Sequence, residues 1–420
     1  MSESFWQDLL QQAQQLMGRP DFWKHASIPF VAAVVGWATN WVAVKLTFLP
    51  LEFVGIRPFL GWQGIIPSKA EKMATTFVDS TMSRLGTLRD VFDGMDPRKI
   101  GDHVVRYLER HMDDYTDEVM AESNPVLWET LPSLVKQQAY AGARRGLPRI
   151  VRSMMQEIGD RIEELIDFKH MIVSRLVDDR ALLNRLFQES GAKEFQFIIR
   201  SGFHFGFLFG LVQLGVWILL PAWWVLPLFG LIVGWATNWI ALNLIFRPLE
   251  PVKVGPWTVQ GLFLKRQTEV AAVWCHLVTR NILTARQLMT SLMHGPRSEL
   301  SRKLVIKHSK PIVDEAVGLV KPAAQFTVGL RGYADIRTTV GEKALDLSTV
   351  PFDDPVFNEG RAQVIEGLLR ERMEAMPPAE FQDLLRPCFQ EDEWKLILTG
   401  AVLGALAGFA QLVFVFGGGG

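Results

Sequence analysis

Cysteine is nearly absent: Cys275 and Cys388 are the two in 420 residues. They are too few for a disulfide framework and lie far from any CxxC or zinc-ligand spacing, so they read as buried free thiols. Excess charge is missing as well. With 44 Lys and Arg against 45 Asp and Glu, the chain lacks the basic footprint of a nucleic-acid binder. The opening MSESFWQDLLQQAQQLMGRPDFWKHAS has no basic stretch leading into an apolar run and a small-residue cleavage site, so no cleavable signal peptide is expected. Mechanistic motifs are lacking too: there is no GxxxxGK[ST], GxSxG, HExxH, strand-following GxGxxG or EF-hand loop. These gaps remove the familiar nucleotide, hydrolase and metalloenzyme readings, and no cofactor is called for.

What the chain has in quantity is apolar sequence. Hydrophobic residues make up 49%, and the mean hydropathy is +0.14. Four runs, 28–49, 201–220, 225–246 and 396–416, match the roughly 20 residues that a helix needs to cross a bilayer. An amphipathic helix is expected over 1–27, with Phe5, Trp6, Leu9, Leu10, Ala13, Leu16 and Met17 on one face.

The sequence also repeats itself. VGWATNWVAVKLTFLPLE (Val35 to Glu52) returns as VGWATNWIALNLIFRPLE (Val233 to Glu250), 198 residues later. GFHFGFLFGLVQL, from Gly202, returns at the same offset as GAVLGALAGFAQL, from Gly400. This predicts a mainly α integral membrane protein made by internal tandem duplication. It would have four transmembrane helices, two mostly helical extramembrane domains (50–200 and 247–394) and short β-hairpin-like connectors at PLEFVGIRPFLGWQGIIP and PLEPVKVGPWTVQG. Two spans per unit place both polar domains on one side of the membrane. Lys and Arg cluster on that side, among them Arg57, Lys69, Lys72, Lys193, Arg200, Lys265 and Arg266. The expectation is a bacterial inner membrane protein with cytoplasmic domains and termini outside.

Candidate sites lie inside the spans. Gly36, Asn40, Ala43 and Thr47 form a small or polar stripe on one helix face, repeated as Gly234, Asn238 and Ala241, and Thr39 and Thr237 are the polar neighbours of the two amides. The two amides are expected to face the bundle interior, as interhelical contacts across the seam between copies or as the lining of a transport path. Gly202, Gly206 and Gly210, repeated as Gly400, Gly404 and Gly408, are expected to pack helices closely, inside a protomer or between protomers. Lys45 and Arg247 sit near span ends, where their charges can reach the interface. In the polar stretches, Val151, Met154, Met155, Ile158, Ile162, Leu165 and Ile166 recur at helical spacing as a core face. His111, Asp114 and Glu118 share a helical spacing that could hold a divalent cation but read as a charged surface face. Cys275 and His276 are neighbours that a helix points apart, so they read as no catalytic pair.

These motifs resemble a bacterial membrane family classified as domain of unknown function 445. The residues that carry the likeness are Gly36, Thr39, Asn40, Ala43, Leu46, Phe48 and Pro50, then Gln63, Gly64, Ile66 and Pro67, then FQEDEW at Phe389 to Trp394 running into Gly400, Gly404 and Gly408. The resemblance implies a membrane location and no established activity. The second copy departs from it with Leu264 in place of the proline, so that connector is expected to be shaped differently.

Two functions compete. The first is a non-enzymatic, homo-oligomeric scaffold for envelope organisation or stress tolerance, with membrane lipids and other envelope proteins as partners and no nucleic acid. The second is transport or transfer of lipid or another amphipathic molecule along an apolar groove formed by the duplicated units.

Overall fold

A computed structural model describes residues 22–56, 60–220, 222–318, 321–390 and 393–417. Most of the expected N-terminal amphipathic helix, Arg57, and Glu391 and Asp392 of the acidic motif lie outside the described residues. The chain divides into two compact units, Met1–Phe77 with Asp179–Val270 and Met376–Gly420, and Val78–Asp178 with Ala271–Ala375.

The first unit is a bundle of four long helices, Phe22–Phe48, Ala192–Leu219, Val225–Phe246 and Glu393–Phe416. Each is long and apolar enough to cross a membrane. The first pairs along its length with the second and the third with the fourth, while second against third and first against fourth close the bundle. Ile28, Trp217, Val225, Leu226 and Leu412 fill one end of its core. Trp37, Trp41, Trp235, Trp239, Leu208 and Phe409 stay exposed on the outer faces, as surfaces surrounded by hydrocarbon and its interface should be. The second helix starts at Ala192, well before the apolar run expected at 201–220. Its polar first turns remain helical because they are packed: Glu194 is buried and bonded to Arg266.

Both the first and third spans end at a cis peptide, Leu49–Pro50 and Arg247–Pro248. A two-stranded antiparallel pair follows each. β1 (Val54–Ile56) joins β2 (Leu60–Trp62) with Val54 opposite Trp62; β3 (Val252–Val254) joins β4 (Trp257–Val259) with Val252 opposite Val259. The two ends of each connector are tied together alike, Gly64 N donating to Pro50 O and Gly261 N to Pro248 O, both at 2.9 Å. A one-turn helix comes next in each case, Ile65–Ser68 and Leu262–Lys265. Leu264 therefore leaves the second connector the same shape as the first: Pro67 sits in the first turn of its helix, where a proline's missing N–H is no loss and leucine serves equally.

The second unit is wholly helical among its described residues. It does not follow the expected division into a domain at 50–200 and another at 247–394, because the two polar stretches interlock. The long helix Ser133–Asp160 lies against Pro311–Val317. There the approach is so close that a Cβ on Gly142 would come 2.8 Å from Ala316 Cα, and one on Gly146 would come 2.7 Å from Glu315 Cγ. Arg372 Nη1 donates to Leu85 O at 2.6 Å, Arg297 Nη1 to Glu163 O at 2.7 Å, and Lys307 Nζ to Glu157 Oε2 at 2.8 Å. Each stretch alone would leave an amphipathic face bare, and the other stretch covers it.

Candidate functional site

The stripe of small and polar residues in the spans forms a packing seam, and the seam is built twice. Asn40 Nδ2 donates to Ile198 O at 2.8 Å, and Asn238 Nδ2 to Leu396 O at 2.9 Å. The two amides therefore do not bond to each other. Each reaches a backbone carbonyl on the span that follows it, four residues before a glycine, and the glycine makes the room. A Cβ on Gly202 would stand 2.6 Å from Asn40 Nδ2, and one on Gly400 would press on the Asn238 amide. Gly36 faces the Gly202 carbonyl and Gly234 the Gly400 carbonyl. Farther along, a Cβ on Gly206 would meet Ala32 O at 2.6 Å, and Gly404 meets Gly230; Gly210 lies on Pro29 and Gly408 on Pro227. All six second-span glycines are thus used inside the chain. Thr39 and Thr237 turn their hydroxyls back onto Gly36 O (3.2 Å) and Gly234 O (3.4 Å) of their own helices.

Two small cavities lie within the bundle. One of about 50 Å³ is lined by Thr47, Glu194, Asn238 and Phe263 among others, and one of about 10 Å³ by Thr39, Gln213 and Gln411 among others. The smaller volume suits a single water and neither has the size of a ligand site. Glu194 is held by Arg266 Nη1 at 2.5 Å through one oxygen, while its other oxygen has no partner. Lys45 is exposed with its ammonium 4.7 Å from the Trp41 ring centre, and Arg247 is exposed at the end of the third span. Both positions let the charge stay out of the apolar region.

The helical unit holds something of another scale, a cavity of about 530 Å³. Its wall takes Val104, Leu108, Met112 and Met120 from the first stretch, and Met289, Leu292, Met293, Val305 and Ile336 from the second. Of the core face read from the sequence, Val151, Met154, Met155 and Ile158 line it, whereas Ile162, Leu165 and Ile166 are simply buried. Six of the chain's 14 methionines are in this wall. Unbranched, polarisable side chains give a surface that adapts to irregular apolar contents. Several of the polar groups in the wall are already engaged. Tyr333 Oη donates to Asp314 Oδ1 at 2.6 Å, Trp128 Nε1 to Asp117 Oδ1 at 3.0 Å, Thr116 Oγ1 to Met112 O at 2.7 Å, and Ser348 Oγ to Leu345 O at 2.6 Å. Burial, reinforced by the Asp314 bond, pushes the Tyr333 hydroxyl well above its usual range, so it stays protonated. Lys343, ion-paired with Glu118, and exposed Gln138 stand at the margin.

The other candidates are dispersed. His111 bonds Tyr107 O at 3.1 Å through Nδ1, and Glu118 pairs with Lys343, so the cluster around Asp114 does not converge. No group of three or more His, Cys, Asp or Glu able to hold a metal occurs among the described residues. Cys275 is buried against Met373 Sδ at 3.9 Å, while His276 turns to Arg280 Nη1 at 2.6 Å. Burial pushes the Cys275 thiol up to about 12, far from nucleophilic at neutral pH.

Comparison with known proteins agrees with a membrane setting. A UPF0754 protein of Alkalihalophilus pseudofirmus is 36% identical over 72 residues, 16% of this chain and 19% of its own length. A UPF0754 membrane protein of Shouchella clausii is 36% identical over 76 residues, 17% of this chain and 19% of its own. One of Microcystis aeruginosa is 33% identical over 73 residues, 17% and 18%. The chain thus spans about a fifth of the length of the curated relatives it matches. No family model matches the chain, and no solved structure matches it. Four apolar helices and relatives named as membrane proteins of an unknown-function group support membrane association.

Proposed function

We propose that this is a non-enzymatic, four-span protein of a bacterial inner membrane whose helical unit binds the hydrocarbon chain of a lipid or another amphipathic molecule and takes part in its transfer. The observation that carries the reading is the 530 Å³ apolar cavity. Its size falls in the range of small-molecule sites, about 300–1,000 Å³. A wall whose hydroxyls and indole are turned to the protein itself suits a chain without hydrogen-bonding groups.

The bundle fits the role of anchor rather than path. Its seam is a set of helix-packing contacts, its cavities are small, and its contacts recur 198 residues apart. That recurrence supports origin by tandem duplication, the motifs around it support a place with the membrane proteins of domain of unknown function 445, and the Lys and Arg near the span ends support cytoplasmic polar stretches. The glycine stripes through which an oligomeric scaffold would assemble are occupied within the chain.

The test is the lipid that stays with the full chain. After purification in mild detergent and extensive exchange, native mass spectrometry should find one tightly held lipid or fatty-acid species per chain. Ala143→Phe with Val151→Phe, which fill the cavity wall from two buried positions, should release it while leaving helicity and melting temperature intact. A wild-type chain that keeps no more hydrocarbon than the filled variant would count against the reading.

A further inference from the structure

The cavity has a rim that carries exposed aliphatic side chains on its outer face, with Glu129, Thr130 and Ser133 exposed among them. The short helix Pro125–Thr130 and the first turn of Ser133–Asp160 form a corner. Leu127, Leu131 and Val135 of this corner line the cavity. Val126 (73% exposed), Leu134 (72%) and Val135 (39%) face outward from the same eleven-residue segment. Val135 is both exposed and in the cavity wall, so it joins the outer aliphatic residues to the cavity. The corner is built to hold this shape. Asn124 Oδ1 accepts from Leu127 N at 3.3 Å to cap the short helix, Leu131 is extended before Pro132, and Trp128 is pinned through Asp117. Lys136 Nζ stands 5.1 Å from the Trp128 ring centre at the same edge.

Building on the proposed binding of a hydrocarbon chain, we infer that the Pro125–Val135 corner is the portal of the cavity and docks on a lipid leaflet, so that a chain passes from bilayer to cavity without crossing water. The leaflet is the partner that this surface fits. A second copy of the chain is not, because a stable dimer buries about 800 Å² per partner, far beyond what three aliphatic side chains present. Exposed aliphatic residues beside a cation match the acyl and headgroup layers of a bilayer interface.

Two measurements on the full chain in vesicles of phosphatidylethanolamine and phosphatidylglycerol decide it. A photo-crosslinking amino acid at position 126 or 134 should give phospholipid adducts, and one at the comparably exposed Val356, which is not part of the cavity wall, should not. Chain-to-chain adducts, or none above the position 356 background, overturn the portal. In the second, Val126→Asp with Leu134→Asp should slow uptake of a pyrene-labelled phospholipid from donor vesicles by about tenfold or more, since a carboxylate resists entry into hydrocarbon. The final occupancy should stay unchanged. Both positions lie in first turns, where Asp suits the helix, so the variant is expected to fold. Unchanged uptake, or lost occupancy with a lowered melting temperature, refutes the portal and leaves chain binding standing. A wild-type chain that takes up no lipid sinks the binding reading itself, while the adducts still report whether the corner meets a leaflet.

Discussion

Gly202→Ala is the most direct probe of the seam, because one added methyl group has nowhere to go. A Cβ there would lie 2.6 Å from Asn40 Nδ2 and 2.8 Å from Gly36 C. Ordinary contact is about 3.5–4.0 Å, so the first and second spans must part by roughly 1 Å. The Asn40 to Ile198 bond, 2.8 Å long, would then stretch beyond useful length. Overpacking is destabilising by about 1–3 kcal/mol, and a lost interhelical hydrogen bond in a membrane by about 0.6 kcal/mol on average. The expected loss is thus about 2–3.5 kcal/mol. Gly215 supplies the control on the same helix: a Cβ there meets nothing within 4 Å, so Gly215→Ala should be neutral or stabilising by up to about 1 kcal/mol, the helix-propensity gain that both substitutions share. The assay is reversible unfolding of the full chain in mixed micelles, followed by circular dichroism. If Gly202→Ala lies within about 0.5 kcal/mol of Gly215→Ala, the helices are not in backbone contact and the reasoning fails.

Three further outcomes follow from the geometry. Asn238→Ala should lose about 0.6–1.7 kcal/mol in the same assay, and in a Gly400→Ala background most of that loss should vanish, because both changes remove one bond to Leu396 O. Glu157 is held down to about 2 by hydrogen bonds from Lys307 and His308, so its stabilisation is complete above about pH 5 and fades as the pH falls toward 2. Glu157→Gln should flatten the fall in melting temperature across that acid window, and an unchanged slope would show that the pair contributes nothing. Cys275, buried and poorly ionised, should resist maleimide at pH 8 until the helical unit unfolds, as read by mass mapping of the modified peptide; fast labelling of the folded chain would contradict its burial.

The spans and the glycine spacing were legible in the sequence, because twenty apolar residues in a row and GxxxGxxxG leave few alternatives. The partners were not. An amide such as Asn40 announces that it needs a hydrogen bond, but its acceptor is the carbonyl of Ile198, and a backbone atom leaves no mark on residue type. The mark is indirect: Gly202, four residues on, is the small residue that lets the amide approach, and the same pairing at Asn238 and Gly400 shows that Asn and Gly are one device split between two helices. The interlocking of the polar stretches was hidden for a similar reason, since an amphipathic face states that it will be covered and not by what. The cavity was hidden most deeply. Val151, which lines it, and Ile162, which is packed solid, belong to the same apolar stripe, and periodicity cannot tell a wall from a core. What distinguishes them is whether the opposing stretch fills the space between, and here it brings Met289 and Met293 across a gap that it does not close. Flexible methionines on both sides of an unfilled space are poor choices for a unique dry core and good ones for contents that vary, which is why the cavity, rather than the conspicuous polar pair in the membrane, is where the chain's function is to be sought.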